Sequence, residues 1–504
     1  MQRLSGLDAA FLSLETNSMH NHVAGAFIFD PSTIQDGYSF EKFRSLIEAR
    51  LPLLPPYRRR VLPIPFGIHH PIWIEDPEFD LDYHVRRASL PAPGGVKELN
   101  EFAAEVIGRP LDLRRPLWEL YLVEGLEGGM FAMVIKTHHA AIDGVSGAEL
   151  MASFLDLSPE VREVPPENPP WKADRIPSDF ELFAYGLNSL ARHPKNLLMT
   201  AKQTIEAVLN ISERNRMPGV KAPPAPFSAP RSILNGALTP HRKIASAELS
   251  LEDVKLVKNK FGGTVNDVVL TICGSALRDY LIDHKELPED PLVAMVPISV
   301  RTEDQKGTLG NRVSMMLVSL ETHLRDPIER LHALSEGAQR AKEQEKAIGA
   351  DVLTNWVEFA APAVAARAAR LVSSFQLFDR LRPMFNVVIS NVPGPNFPLY
   401  AGGARMVAMY PIGPVTEGVG LNITVMSYMG SMYFGLQSCR ELVPDVDKVA
   451  DYLVESLAEL VKAARRVDEG KPPAARANKR PPRPGASSAR AAKHLSGGEE
   501  SSES

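Results

Sequence analysis

Residues Thr137-His138-His139-Ala140-Ala141-Ile142-Asp143-Gly144 mark a place where a strand must hand over to a helix within one tight corner. Upstream, Phe131 to Lys136 is apolar with β-branched Val134 and Ile135, the pattern of a buried strand. Downstream, Ser146-Gly-Ala-Glu149 has the S-x-x-E form of a capping box, and Leu150, Met151, Phe154 and Leu155 follow at helical spacing. A strand that turns through Asp-Gly into a helix is the working unit of an α/β chain. Two histidines ride on the corner, with a carboxylate four residues past the second. Side chains alternate along a strand, so His138 and His139 point to opposite sides, and only one can enter a given pocket.

Three chemistries fit such a corner. The first is none at all: two structural histidines at a strand end. The second is a metal site, but no cysteine or acidic cluster completes the ligand set, and His69-His70 sit in Pro-rich surroundings that read as a loop. The third is general base catalysis, in which one imidazole takes a proton from a nucleophile and Asp143 fixes the local geometry. His-His-x-x-x-Asp-Gly resembles the signature of the CoA-dependent acyltransferase superfamily, which includes chloramphenicol acetyltransferase and peptide-synthetase condensation domains. Pro116-Leu117-Trp118 upstream resembles the corresponding motif of the bacterial wax ester synthase/diacylglycerol acyltransferase family. So do Asn266-Asp267, Asn386-Val-Val-Ile-Ser390-Asn391-Val392-Pro393-Gly394-Pro395, Pro398-Leu-Tyr400 and Gly418-Val-Gly-Leu-Asn422. These matches run in the family's order from the first residues to about 440.

Composition removes several alternatives. At 504 residues the chain exceeds one ordinary core and implies two domains with extras. The formal charge is −5, but residues 471–493 hold seven basic side chains and no acid, so the tail from 471 is +4 and residues 1–470 are −9. A body that acidic argues against nucleic acid as a partner. Two cysteines, Cys273 and Cys439, require no disulfide framework, and the N-terminus lacks the apolar run of a signal peptide, so a cytoplasmic location is expected. The uncharged stretch 418–439 breaks at Met429-Gly430-Ser431 and carries Asn422, Thr424 and Gln437. It reads as a β-hairpin, and no transmembrane helix is expected.

Taken in order, the chain opens with a short helix and a strand at Val23–Phe29, then a helix near Phe40–Arg50. A Pro-broken loop follows and ends in Arg58-Arg59-Arg60, which reads either as solvated surface or as a contact for the phosphates of a CoA-type ligand. Trp73-Ile-Glu and Tyr83-His-Val85 read as strands, 96–107 as a helix, and Trp118–Val123 as the strand before the histidine strand. Trp118, taken without the resemblance, is a core anchor. Residues 158–178 and 217–230 are Pro-rich joints around helices at 179–213. The second half begins with a strand at Lys243–Leu249 and a helix at Leu251–Lys260. Thr264 then caps a helix whose buried stripe is Val265, Val268, Val269, Ile272, Ala276 and Leu281. This puts Asn266 and Asp267 in a first helical turn, as capping residues or as donors to developing negative charge. Strands at Val293–Val300 and Val313–Leu320 flank the loop 301–312, helices fill 326–345 and 350–382, and Asp445–Val467 is the last ordered helix. Residues after Gly470 lack apolar periodicity and are expected to be disordered.

The domains expected are therefore 1–178, a linker at 179–230, 231–470, and the basic tail 471–504. Helix-strand alternation in two halves gives the fold class, α/β (an α+β sandwich). That both halves are chloramphenicol-acetyltransferase-like domains joined by the Pro-rich helical linker is what the resemblance implies. It further implies an acyl-CoA-dependent diacylglycerol O-acyltransferase, with wax ester synthesis from long-chain alcohols as a related activity. His139 would be the general base, since the second histidine carries that role across the resemblance, and His138 its neighbour. Asp143 would position the corner, Asn266 would steady the oxyanion, and Gly144, Pro116, Leu117, Trp118 and Asp267 would lie on the substrate side. No metal or cofactor is expected, acyl-CoA being a substrate, and the partners are diacylglycerol or a long-chain alcohol and the surface of a membrane or lipid droplet. Two rivals stay open: a condensation-type enzyme using carrier-bound acyl groups, and a non-catalytic lipid-binding or droplet scaffold protein.

Overall fold

The computed structural model describes residues 2–34, 37–142, 147–167, 169–191, 224, 227–299, 313–348 and 382–468. The expectations for Asp143, Gly144, the Ser146 cap, the loop 301–312, the helix 350–382 and the tail from 471 lie outside them, as does the linker from 192 to 223.

In chain order the first half runs β1 (Gln2–Arg3), α1 (Gly6–Ser13), β2 (His22–Asp30), α2 (Phe40–Arg50), β3 (Arg59–Leu62), β4 (Ile72–Glu75), α3 (Leu81–His84) and β5 (Val85–Ser89). It continues through α4 (Val96–Gly108), β6 (Trp118–Glu124), β7 (Phe131–His138), α5 (Gly147–Phe154) and α6 (Asp179–Ala191). The second half holds β8 (Arg242–Ser250), α7 (Leu251–Phe261), α8 (Val265–Asp283), β9 (Val293–Ser299), β10 (Val313–Ser319), α9 (Pro327–Ile348) and β11 (Val387–Val392). It closes with β12 (Tyr400–Ala401), β13 (Ala404–Ile412), β14 (Leu421–Tyr428), β15 (Ser431–Cys439) and α10 (Val446–Asp468).

Two six-stranded mixed sheets carry the molecule, in spatial order β12-β13-β2-β7-β6-β5 and β10-β9-β11-β14-β15-β8, with a small sheet β1-β4-β3 beside them. Strand β7 is central in the first sheet, antiparallel to β2 on one side and to β6 on the other. Every one of its residues is buried, which is why Phe131 to Ile135 form a continuous apolar run rather than an alternation, before Lys136, Thr137 and His138 close the strand. In the second sheet β14 and β15 form the expected hairpin, turning at Met429 and Gly430, both at positive φ as a type I′ turn requires. Helices α7 and α8 start where the sequence signals them. Ser250 accepts from the Asp253 N–H, and Thr264 and Asp267 exchange the reciprocal bonds of a capping box.

Chain order and sheet membership part company most widely near the end of the chain. Strands β12 and β13 come late in the sequence, yet β13 pairs antiparallel with β2 in the first sheet. On its way it crosses β15 so closely that a Cβ on Gly435 would lie 1.8 Å from the Pro411 carbonyl oxygen. The two cores meet there: Met426, Tyr428 and Tyr433 of the second sheet pack with the first sheet's interior.

Two local readings differ from the sequence. Tyr83 and His84 belong to a single helical turn, because Asp80 accepts from the Asp82 N–H and caps it, and the strand begins only at Val85. The basic triplet is taken up in ion pairs rather than standing as loose surface charge. Arg58 makes a two-pronged pair with Glu167 at 2.7 and 2.5 Å, Arg59 reaches Glu75 at 2.6 Å, and Arg60 reaches Glu78 at 3.0 Å and Asp76 at 3.4 Å. With its charge already matched by carboxylates, and Arg58 and Arg60 buried, the triplet fastens the small sheet within itself through Arg59 and to the chain at Glu167 through Arg58.

Candidate active site

The end of β7 is clamped from both neighbours. The His138 N–H donates to the Leu117 carbonyl at 2.9 Å, and the His139 N–H donates to the Asn21 carbonyl at 2.8 Å. Beyond this point residues 139–142 tighten into one 3₁₀ turn. The two imidazoles have different surroundings, as alternation along a strand requires. His138 is fully buried, and its Nδ1 accepts from the Ala140 N–H at 3.0 Å, capping the turn. A neutral ring that accepts at Nδ1 carries its hydrogen on Nε2, which lies 3.1 Å from Glu15 Oε1, near but out of line for a good hydrogen bond. His139 is only partly buried, and its ring stacks on Phe11 with centroids 4.1 Å apart.

Around His138 lies a polar cluster that sequence reading missed. Glu15 also accepts from the Asn21 N–H at 3.1 Å and stands 3.8 Å from His22 Nε2, so one carboxylate ties α1's exit to the histidine strand. His22 pairs directly with His138 across β2 and β7. Burial holds the His22 pKa well below the ordinary value, Lys136 and His138 push it further down, and a hydrogen bond to the Ile107 backbone opposes them. Lys136, wholly buried, donates to the carbonyls of Val106 and Arg109 at 3.0 and 3.1 Å and pairs with Glu119 at 3.2 Å. It thus adds a donor to the carbonyls at the end of α4, where the Arg109 N–H already reaches Val106, and fastens that helix behind the corner. A lysine inside an otherwise apolar strand was the available signal.

Leu117 and Trp118 are fully buried, and Pro116 is buried beside them. Trp118 stacks between Tyr57 and His84, centroids 4.6 Å away on each side, and its Nε1 donates to the Tyr57 carbonyl at 2.8 Å. With no exposed surface the indole supports the wall from behind, while Leu117 grips His138. On the far side of the corner, the buried Arg50 Nη2 donates to both carboxylate oxygens of Asp156 at 2.8 and 2.7 Å, which anchors the chain just after α5.

In the second half Asp267 spends its carboxylate on the Thr264 N–H at 2.8 Å and the Ser335 hydroxyl at 3.1 Å, which makes it a cap. Asn266, half-buried in the same turn, accepts from Asn391 Nδ2 at 3.3 Å through its side-chain oxygen. Two motif asparagines 125 residues apart therefore meet, and that bond leaves the Asn266 N–H₂ as the end that can donate. An apolar groove of about 550 Å³ opens between α5 and the loop after β11, lined by Met151, Leu155, Pro395, Phe397 and Leu399. Among the described residues no group of three or more His, Cys, Asp or Glu side chains could hold a metal ion.

The histidine behind Trp118 makes the fold sensitive to acid. Burial pulls the His84 pKa down to about 4, against a hydrogen bond to the Trp118 carbonyl that raises it. The unfolded chain accepts a proton near pH 6.5 that the folded chain refuses, so stability falls as pH drops from about 6.5 toward about 4. The loss reaches about 3 kcal/mol from this residue at the lower end. Urea midpoints at pH 7 and pH 5 should differ in wild type, and His84→Phe should shrink the difference, leaving the part that the buried His22 supplies in the same sense.

The sequence profile of the wax ester synthase/diacylglycerol acyltransferase catalytic domain matches residues 4–269, and that of the WS/DGAT C-terminal domain matches residues 309–461. A putative diacylglycerol O-acyltransferase of Mycobacterium tuberculosis is 37% identical over 472 residues, covering 93% of this chain and 92% of that protein. The solved wax ester synthase/diacylglycerol acyltransferase of Marinobacter aquaeolei VT8 superposes with a TM-score of 0.65 at 30% identity, over 92% of this chain and all of that one. A trichothecene 15-O-acetyltransferase from Fusarium sporotrichioides shares the fold, with a TM-score of 0.54 at 14% identity, over 91% of this chain and 94% of that one.

Proposed function

This chain belongs to the wax ester synthase/diacylglycerol acyltransferase family, and from that premise we propose that it moves a fatty acyl group from acyl-CoA to diacylglycerol. Long-chain alcohols, giving wax esters, are the related acceptors. The family match along both halves carries this reading, and the histidine corner supplies the chemistry. A thioester carbonyl is electrophilic, but an aliphatic hydroxyl attacks it poorly until its proton is removed. His139, the more accessible imidazole, takes that proton as the oxygen bonds to the carbonyl carbon. The Asn266 N–H₂ donates to the tetrahedral oxyanion. The carbon–sulfur bond then breaks, and the departing thiolate recovers the proton from His139. His138 serves as the cap that holds the turn in shape. The apolar groove beside α5 suits one of the two lipid chains.

Incubation with labelled palmitoyl-CoA and a panel of acceptors, followed by lipid separation, tests this directly. Labelled triacylglycerol with matching thiol release is the expected result. Thiol release that no acceptor stimulates would mean thioester hydrolysis and overturn the transferase reading, and no release at all would return the chain to the lipid-binding reading.

Peripheral contact with a membrane or droplet surface belongs to the same proposal. No helix among the described residues is long and apolar enough to cross a membrane. One face nevertheless offers unusually bare aromatics: Phe66 is 85% exposed at a left-handed turn (φ 62°), and Phe180 and Leu187 on α6 are 80% and 57% exposed. Phe66 meets Phe183 edge-on, so turn and helix form one patch. Exposed apolar groups of this size mark contact surfaces. Replacing both Phe66 and Phe180 by Ser should weaken co-sedimentation with phosphatidylglycerol vesicles at least about tenfold, given about 1.5–3 kcal/mol for each fully buried phenylalanine. Unchanged sedimentation would move the contact to another face.

A further inference from the structure

A cleft of about 460 Å³ lies between α4 and β8, where the two halves meet. Five basic side chains line it, Lys97, Arg109, Arg242, Lys243 and Arg440, against three carboxylates. Two of the cations are already matched, Arg109 by Glu105 and Lys243 by Asp447. Arg440, among the described residues, reaches the neighbouring exposed Glu441 alone, at 3.4 Å. Arg242 at the floor is different. It is buried, and its guanidinium donates to the carbonyls of Thr239, His241 and Ser18. Among the described residues it has no carboxylate within ion-pair distance, and burial pulls its pKa down. Glu441 and Glu417 act on it only from beyond ion-pair distance, so carbonyl dipoles are its direct partners, and a bound anion would offset the cost of burying the charge. The surrounding body is strongly acidic, so a basic cleft in it is a local exception.

The cleft connects to the histidine corner through a short piece of chain. Arg242 holds the Ser18 carbonyl, and three residues on, the Asn21 carbonyl holds the His139 N–H. Three extended residues span at most about 10 Å. His20 lies between, and its titration feels both Arg242 and His138. A CoA thioester has this layout, with anionic phosphates at one end and the reacting carbonyl at the other.

We propose that this cleft binds the phosphate groups of the acyl-CoA donor, over Arg242 and between Lys97 and Arg440. The assignment rests on the acyl-CoA reading above. It also places the phosphates away from Arg58-Arg59-Arg60, whose charges are spent. A phospholipid headgroup presents similar phosphate chemistry, so the experiment must separate the two sources.

Lys97 and Arg440 are exposed, and the double variant Lys97→Glu/Arg440→Glu should fold. Its KM for palmitoyl-CoA is expected to rise about tenfold, the equivalent of one lost charge-assisted hydrogen bond. Its KM for S-palmitoyl pantetheine, which lacks the nucleotide phosphates, should stay at the wild-type value. Adenosine 3′,5′-bisphosphate should bind the wild-type protein by calorimetry and bind the variant at least about tenfold more weakly. Unchanged KM values with unchanged nucleotide binding overturn the proposal. So does loss of binding to phosphatidylglycerol vesicles with the KM for palmitoyl-CoA intact, which would assign the cleft to lipid headgroups. The calorimetric arm needs no turnover. A wild-type protein that binds the nucleotide but transfers no acyl group would therefore sink the function reading and leave the cleft standing.

Discussion

His139→Ala is expected to lose about 10²–10⁴-fold in turnover with palmitoyl-CoA and diacylglycerol, the usual span of a general-base contribution. The protein should stay folded, because the ring is partly exposed and its main packing contact is the stack on Phe11. Its backbone bond to Asn21 is untouched by the substitution. His138→Ala should behave in the opposite sense. It removes the acceptor for the buried Ala140 N–H, a loss of about 1–3 kcal/mol in stability, while the folded fraction keeps most of its turnover. His138→Asn can restore an acceptor and should recover part of that stability. Measured kcat alongside urea midpoints for the three variants separates base from cap. If His138→Ala were the inactive but stable protein and His139→Ala the active one, the two roles would be exchanged.

Trp118→Ala should lose about 3–5 kcal/mol of stability, the range for emptying a large buried aromatic site. The indole fills the space between Tyr57 and His84 and satisfies the Tyr57 carbonyl, so truncation leaves a cavity and an orphaned acceptor together. Trp118→Phe keeps a ring in the stack and gives up the hydrogen bond, and it should cost less. Any enzyme that remains folded should show a KM for either substrate close to wild type. A stable Trp118→Ala protein with a raised KM would make the indole a substrate contact instead.

These two residues also show what a sequence can disclose. The strand carrying the histidines was readable because a central strand buried on both faces is rich in apolar residues, and β7 opens with five of them, Phe131 to Ile135. The α8 cap was readable because Thr264 and Asp267 satisfy each other three residues apart. Contacts that span the chain were not. Arg58 looked like loose surface charge because its partner, Glu167, lies 109 residues away. Glu15 carried no local signal at all, since its partners His22 and His138 arrive through strand pairing. Asn266 was singled out by resemblance, but its bond to Asn391 depends on how β11 sits against α8.

The late return of β13 to the first sheet has a bearing on how the chain is made. Strand β2 pairs with β7 early, but its other edge is filled by residues 404–412, some 380 positions later. During synthesis at roughly 5–20 residues per second, the histidine sheet must wait many seconds with an apolar edge open. Such an edge is a template for pairing with another chain. A nascent first half is therefore the stage at which this protein is most exposed to aggregation, and a fragment ending at the Pro-rich joint would be held there permanently.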